Sequence, residues 1–167
     1  MKLSTRGRYG TRAMLDLALH YGKGPVLLKD TARRQEISER YLEHIMIALV
    51  STGLVQSMRG QHGGFSLAKV PKEIKLSQII QAVEGPISLV ACVDDPKICN
   101  RVDVCVTHEI WKKLKKAMLE ILDSITLEDI AKMHKKKLSR ASQNQGYRNW
   151  VIVEEAGNET RSRKLET

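Results

Sequence analysis

Ser38–Ala68 reads SERYLEHIMIALVSTGLVQSMRGQHGGFSLA. Ser38 is a good helix N-cap, because its hydroxyl can accept a bond from an otherwise unpaired amide of the first turn. Leu42, Ile45, Met46 and Leu49 then recur at helical spacing and predict one buried stripe on a helix over about residues 39–52. Arg40, Glu43, His44, Ile47 and Ser51 fall on its other faces. Gly53 tolerates the left-handed backbone that ends a helix. Leu54–Met58 and Phe65–Ala68 read as two strands, with Arg59-Gly60-Gln61-His62-Gly63-Gly64 as a glycine-rich hairpin tip between them. A helix leading into a basic hairpin is the second half of a winged helix-turn-helix.

The upstream sequence supplies the first half. Tyr9, Ala13, Met14, Leu17, Ala18 and Tyr21 predict a helix over 5–21, with Arg6, Arg8 and Arg12 crowded on its first turns. Gly22–Pro25 breaks it, Val26–Leu28 reads as extended, and a short helix is expected over 29–35. Downstream, Leu76–Glu84 reads as a helix capped near Ser77. Ile110, Trp111, Leu114, Met118, Ile121 and Leu122 predict a long amphipathic helix over 107–123. Thr126 with Asp129 resembles a capping box and opens a last helix to about Lys137. The expected fold is mainly α with a small β-hairpin. It comprises a winged helix-turn-helix domain (1–85), a cysteine-rich loop (86–108), a dimerisation helix and following short helix (107–137), and a basic, largely disordered tail (138–167). Trp150-Val151-Ile152-Val153 is an apolar island in that tail.

Aromatic residues make up only 4% of the chain, so aliphatic side chains and methionine must fill the core. The formal net charge is +9, which favours an anionic partner. Residues 1–70 hold 11 basic against 5 acidic side chains, residues 71–133 hold 9 against 10, and residues 134–167 hold 8 against 4. The basic excess therefore flanks a near-neutral middle. No apolar run is long enough to span a bilayer, and the N-terminus lacks the apolar stretch of a signal peptide, so a cytoplasmic protein without membrane contact is expected. No Ser–His–Asp set or carboxylate pair asks for catalysis, and an enzyme is not expected.

A DNA-reading helix needs a buried face and an exposed polar face whose side chains reach base edges. The 39–52 helix offers Arg40, Tyr41, Glu43 and His44 near its N-terminal end, beside Ser38. The hairpin tip offers Arg59 and His62 among glycines, which permit close approach to a phosphate or a narrow minor groove. Lys2, Arg6, Arg8 and Arg12 would reach the phosphate backbone. A long apolar-striped helix after such a module would build a two-fold dimer, placing two reading helices on a pseudo-palindromic operator in double-stranded DNA.

The near-neutral middle holds all three cysteines. Cys92, Cys99 and Cys105 are separated by six and five residues, and His108 follows Cys105 after two more. Soft thiolates with an imidazole suit iron–sulfur chemistry or zinc. The paired Cys-x-x-Cys turn of compact zinc sites is missing, and even, wide spacing suits a loop wrapped around a larger object such as a 2Fe–2S cluster. Reduced core thiols and redox-switch thiols also remain open. Asp94, Asp95 and Asp103 read as groups around such a site, not as ligands.

Met1-Lys-Leu-Ser-Thr-Arg-Gly-Arg-Tyr-Gly, Ala13-Met-Leu-Asp-Leu-Ala, Ile37-Ser-Glu-Arg-Tyr-Leu-Glu and Gly53-Leu-Val-Gln-Ser-Met-Arg-Gly together resemble the Rrf2 family of winged-helix regulators. Cys105-Val-Thr-His-Glu-Ile-Trp and Ile125-Thr-Leu resemble its IscR-like iron–sulfur branch, and the likeness runs from Met1 to about Ala131. The resemblance implies a homodimeric repressor or dual regulator. It would carry one 2Fe–2S cluster per subunit, ligated by Cys92, Cys99, Cys105 and His108 and delivered by the iron–sulfur assembly machinery. It also implies DNA contacts from Arg40, Tyr41, Glu43 and Arg59. Some relatives take the non-cysteine ligand from the first helix; here Arg8 and Arg12 occupy the candidate positions and cannot ligate, which favours His108. Three departures stand out. The first cysteine gap is one residue longer than the IscR-like pattern, Glu36 replaces the glycine of the helix-turn-helix bend, and Arg40 replaces a small polar residue. A nitric-oxide or redox sensor using the same cluster is the alternative within the class. An iron–sulfur electron carrier or cluster carrier is the alternative outside it.

Overall fold

The computed structural model describes residues 3–60 and 63–142. Helix α1 (Thr5–Leu19) starts at Ser4, whose hydroxyl accepts from the Arg6 and Gly7 amides. Helix α2 (Leu28–Gln35) and helix α3 (Glu39–Ser51) follow, and Ser38 caps α3 by accepting from the Tyr41 amide. Strands β1 (Val55–Met58) and β2 (Gly64–Leu67) pair antiparallel, with Val55 opposite Leu67 and Met58 opposite Gly64. Val26 adds a bridge to Phe65 on the outer edge of β2. This is the expected winged helix-turn-helix, and the strand boundaries differ from the sequence reading by one residue.

Helix α4 (Leu76–Glu84) follows a short turn at Pro71–Glu73. Its span is the one expected, but its N-cap is Lys75, two residues before Ser77. Gln78 Oε1 accepts from the Lys75 amide, while Ser77 lies inside the helix and donates to Asp123. Residues 86–105 are not a featureless loop. They hold the short helix α5 (Ala91–Asp94) and single turns at Pro96–Ile98 and Val102–Val104. Helix α6 (Val106–Ser124) is the long amphipathic helix, and α7 (Leu127–Ser142) starts at the expected Thr126–Asp129 capping box.

Two boundaries are corrected. Helix α1 stops at Leu19, so Tyr21 leaves its buried stripe and stands exposed. Helix α7 is not a short helix ending near Lys137 but runs to Ser142, so residues 138–142 belong to it and not to a disordered tail. Lysine and arginine are good helix formers, and Ala131, His134, Leu138 and Ala141 carry one half-buried stripe through the basic run. The rest of the tail, including the apolar island at 150–153, lies outside the described residues.

Aliphatic side chains and methionine fill the core, as the shortage of aromatics requires. Met14, Leu42, Ile45, Met46, Leu49, Ile74, Ile79 and Leu127 are fully buried. Helix α4 approaches α1 closely at Gly7, where a Cβ would stand 2.0 Å from the Glu84 carboxylate.

One ion pair crosses this core. Asp16 is 1% exposed; it accepts two bonds from Arg34, both at 2.8 Å, and one from Thr31 at 2.7 Å. Burial pushes its carboxyl up, but the hydrogen bonds from Arg34 and Thr31 outweigh burial and hold it below the ordinary value of 3.8. The pair docks α2 on α1 and so sets where α3 is presented. The bend between α2 and α3 falls at Glu36, in the left-handed region at φ 52°. Arg12 donates to the Gln35 carbonyl and side chain beside it, clamping a turn that lacks glycine.

Two expectations follow from these features. Replacing Glu36, whose side chain is exposed, by glycine relieves the left-handed strain and should raise stability by about 0.5–1 kcal/mol in urea denaturation; a loss of stability would contradict strain at this bend. Asp16→Asn should cost about 3 kcal/mol at pH 7, since it removes the charge opposite Arg34 in a buried pair. Because the folded pKa lies below the unfolded one, the stabilisation is full above the unfolded value and fades as pH falls through the folded value. Wild type and variant should therefore converge in acid, and a gap that is independent of pH would contradict the assignment.

Candidate nucleic-acid interface and cysteine segment

Helix α3 buries Leu42, Ile45, Met46 and Leu49, so its opposite face is turned outward. Arg40, Tyr41, Glu43, His44 and Ile47 are all exposed there. The helix is braced from behind by an aromatic contact. Tyr9 of α1 meets Tyr41 edge to face at 5.9 Å, and the Arg12 guanidinium lies 5.5 Å over the Tyr9 ring. A shallow cleft of about 410 Å³ separates the start of α1 from α3, lined by Arg6, Tyr41, His44, Ile47 and Ala48.

Arg8 is exposed at the same end of α1, where it donates to Thr5. Arg12 donates to the Gln35 carbonyl and lies over the Tyr9 ring, so it positions the helix-turn-helix bend. Ser38 is exposed, with its hydroxyl capping α3.

The wing carries Arg59 at its tip, exposed beside Gly60. The tip closes through a bond from the Gly63 amide to the Gly60 carbonyl at 2.9 Å. A Cβ at Gly63 would meet the Met58 carbonyl at 2.4 Å, so the tight tip requires glycine there. His62 and Lys2 lie outside the described residues.

The cysteine segment differs in kind from the reading head. Cys92 lies in α5, Cys99 ends the Pro96–Ile98 turn, and Cys105 is the N-cap of α6. All three are half-buried thiols not joined in a disulfide. Among the described residues, no three His, Cys, Asp or Glu side chains converge closely enough to hold a metal. The segment therefore presents the sequence-predicted ligands without bringing them together.

Two features of this segment suit soft-metal chemistry. The Cys105 thiol contacts the Thr107 hydroxyl at 3.2 Å. That contact and the His108 backbone N–H hold the thiol below its ordinary value, favouring thiolate. His108 is 5% exposed, the one buried residue of α6, and its Nδ1 has no hydrogen-bond partner among the described residues. A buried ring nitrogen without a partner is costly unless something takes its lone pair or proton.

Helix α5 is tied to α6 by an ion pair between Asp94 and Lys115. The Lys115 hydrogen bond, with a further one from Ser88, holds the exposed Asp94 carboxyl below its ordinary value. Helix α6 itself leaves Ile110, Trp111, Leu114 and Ile121 exposed along one side. Among the described residues, no helix is long and apolar enough to cross a membrane.

A braced helix-turn-helix with a basic wing defines a winged-helix DNA-binding protein. A family profile described as Rrf2, iron-dependent transcriptional regulator, matches residues 3–133. The chain belongs to the Rrf2 family of transcriptional regulators, a non-enzymatic class.

It is 43% identical over 131 residues to the transcriptional regulator CymR of Bacillus subtilis, covering 78% of this chain and 90% of that one. It is 40% identical over 130 residues to the regulator IscR of Pectobacterium atrosepticum, covering 78% and 79%. The solved structure of CymR, described as the global cysteine regulator of B. subtilis, aligns with a TM-score of 0.67 at 41% identity over 80% of this chain and 98% of that one. That of T. potens IscR aligns with a TM-score of 0.67 at 43% identity over 82% and 90%. The likeness to the two kinds of regulator is comparable, with 40–43% identity and the same TM-score of 0.67, so it does not by itself assign a signal.

The sequence pattern locates helix α3 and the wing. It gives no role to Ile47 and reads Arg12 as a phosphate-backbone contact; the signal for Ile47 is an apolar residue on the polar stripe.

Arg59 provides the test of the wing. Arg59→Ala should weaken duplex binding, and plots of affinity against salt should lose about one unit of slope per subunit if the contact is to phosphate. A variant with unchanged affinity and slope would remove Arg59 from the interface.

Proposed function

We propose that this regulator binds its operator as a homodimer and that a 2Fe–2S cluster, held by Cys92, Cys99, Cys105 and His108, sets its affinity. The observation that carries the reading is the buried, unpartnered Nδ1 of His108, three residues after Cys105 at the start of α6. Three thiols and an imidazole match the donor set of such a cluster, and one imidazole in place of a thiolate makes the site less negative. When bound, the cluster would supply a redox-active and labile centre. The cytoplasmic iron–sulfur assembly machinery would be its donor, and cluster homeostasis the process it serves.

The ligands must be drawn together. Residues 86–107 bury no side chain, so moving them disturbs little packing. Closure would pull α5 and the two turns onto the start of α6. Helix α6 touches α4 through Ser77 and Asp123, so its position would be passed to the reading head. The exposed Ile110, Trp111, Leu114 and Ile121 would pair with those of a second copy, setting the spacing of two α3 helices on a pseudo-palindromic site. At each half-site Arg40, Tyr41 and Glu43 would face base edges, with Arg8, Arg59, His62 and the Ser38 region along the backbone.

One observation favours a second reading. The thiols stand apart and Cys105 is thiolate-prone, which also suits a sensor of thiol oxidation or nitric oxide. A basic electron carrier is set aside by membership in a regulator family.

Protein purified without oxygen should absorb in the visible region and contain iron and sulfide in equal amounts. Cys92→Ala, Cys99→Ala and Cys105→Ala should each abolish the absorption, and His108→Ala should shift or destabilise it. Colourless protein that stays colourless after anaerobic reconstitution would refute the cluster and favour thiol sensing. An unchanged spectrum in His108→Ala would remove His108 from the site.

A further inference from the structure

Helix α3 has one residue out of place on its outward face. Arg40 lies three and four residues before Glu43 and His44, and Ile47 lies four and three residues after them, so the four share a stripe opposite the buried Leu42, Ile45, Met46 and Leu49. The first three are polar. Ile47 is apolar, β-branched and 60% exposed. Its χ1 is stiff in a helix, so it presents a fixed branched surface at low entropic cost.

The surroundings indicate what that surface meets. Ile47 lines the cleft between α1 and α3 with Arg6, Tyr41, His44 and Ala48. Arg6 brings a cation suited to a phosphate, and Tyr41 is held by Tyr9. A duplex whose backbone runs along Arg6 and Arg8 would place its major groove over the α3 stripe. In that groove only one base edge is apolar: thymine, through its C5-methyl.

We infer that Ile47 is a specificity-determining residue that packs on a thymine methyl in each half-site, selecting T over C at one position that the polar residues do not read. The inference rests on the DNA-reading role of α3 proposed above. A methyl–apolar contact removes roughly one methylene's worth of surface from water, so losing it should weaken binding about three- to tenfold. The contact adds no charge and leaves the salt dependence unchanged.

The experiment removes the methyl from the DNA and the side chain from the protein in turn. Full-length protein first selects duplexes from a randomised pool. Each thymine of the winning sequence is then replaced by deoxyuridine, which lacks only the methyl. Wild type should lose about three- to tenfold in affinity at one thymine per half-site. Ile47→Ala should bind the parent duplex correspondingly less tightly, be indifferent to the same replacement, and bind random duplex as wild type does.

If deoxyuridine weakens both proteins equally, or weakens neither, the role of Ile47 is overturned while the DNA-reading role of α3 stands. If the pool yields no preferred sequence, the DNA-reading role falls and the inference with it. Ile47 is exposed, so its replacement spares the core; the thermal midpoint of the variant confirms that folding is not the cause.

Discussion

A short clamp between two distant segments ties α6 and α7 to the winged helix, alongside the packing of α7 on α1. The Leu76 amide donates to the Ile125 carbonyl at 2.9 Å, and the Leu127 amide donates to the Ile74 carbonyl at 2.8 Å. Lys75 and Thr126 thus form an antiparallel bridge, with Ile74 and Leu127 fully buried on its core side. The clamp lies where α4 leaves the winged helix and where α6 gives way to α7. Ser77 and Asp123 add a side-chain bond one turn along. The clamp fixes the junction between α6 and α7 against the entry to α4. With it, any displacement of α6 is also a force on α4, which packs against α1 and α3. Coupling between a sensing segment and a reading head needs such a shared element whose position both sites can bias.

Burial divides the chain according to this role. The winged helix is densely packed around aliphatic side chains and the Asp16–Arg34 pair, which suits a scaffold that must present side chains reproducibly. The stretch from Pro86 to Thr107 buries nothing and is held chiefly by local turns and the Asp94–Lys115 pair. Few buried contacts make a segment cheap to rearrange. Its one fixed landmark is His108, buried at the start of α6 with a ring nitrogen left over.

The legible parts of the sequence were those in which local pattern and tertiary environment agree. Leu42, Ile45, Met46 and Leu49 form a complete buried stripe, so α3 was evident; Gly60, Gly63 and Gly64 marked the wing because its tight tip admits no side chain at Gly63. Tyr21 misleads because an aromatic at helical spacing looks buried even two residues past the end of the helix. The full length of α7 is hidden because its stripe beyond Ala131 is carried only by His134, Leu138 and Ala141, small or polar but for one leucine, within a basic run. The clamp left no local trace, as main-chain pairing between distant residues imposes no residue type. The identity and spacing of the cysteines suggest soft-metal or thiol chemistry, but whether they converge depends on the three-dimensional course of 86–105. Ile47 could be placed on the outward face but given a role only once the α1–α3 cleft was seen.

The central claim is that the state of the cysteine segment changes the affinity of α3 and the wing for DNA. Its most direct measurement is the dissociation constant of one full-length preparation for one selected duplex, taken anaerobically with the cluster bound and again after its removal. The two constants should differ by about 5–150-fold, the range of an ordinary allosteric coupling, and the cluster should be held with correspondingly altered affinity when DNA is bound. Equal constants on every selected duplex would contradict it.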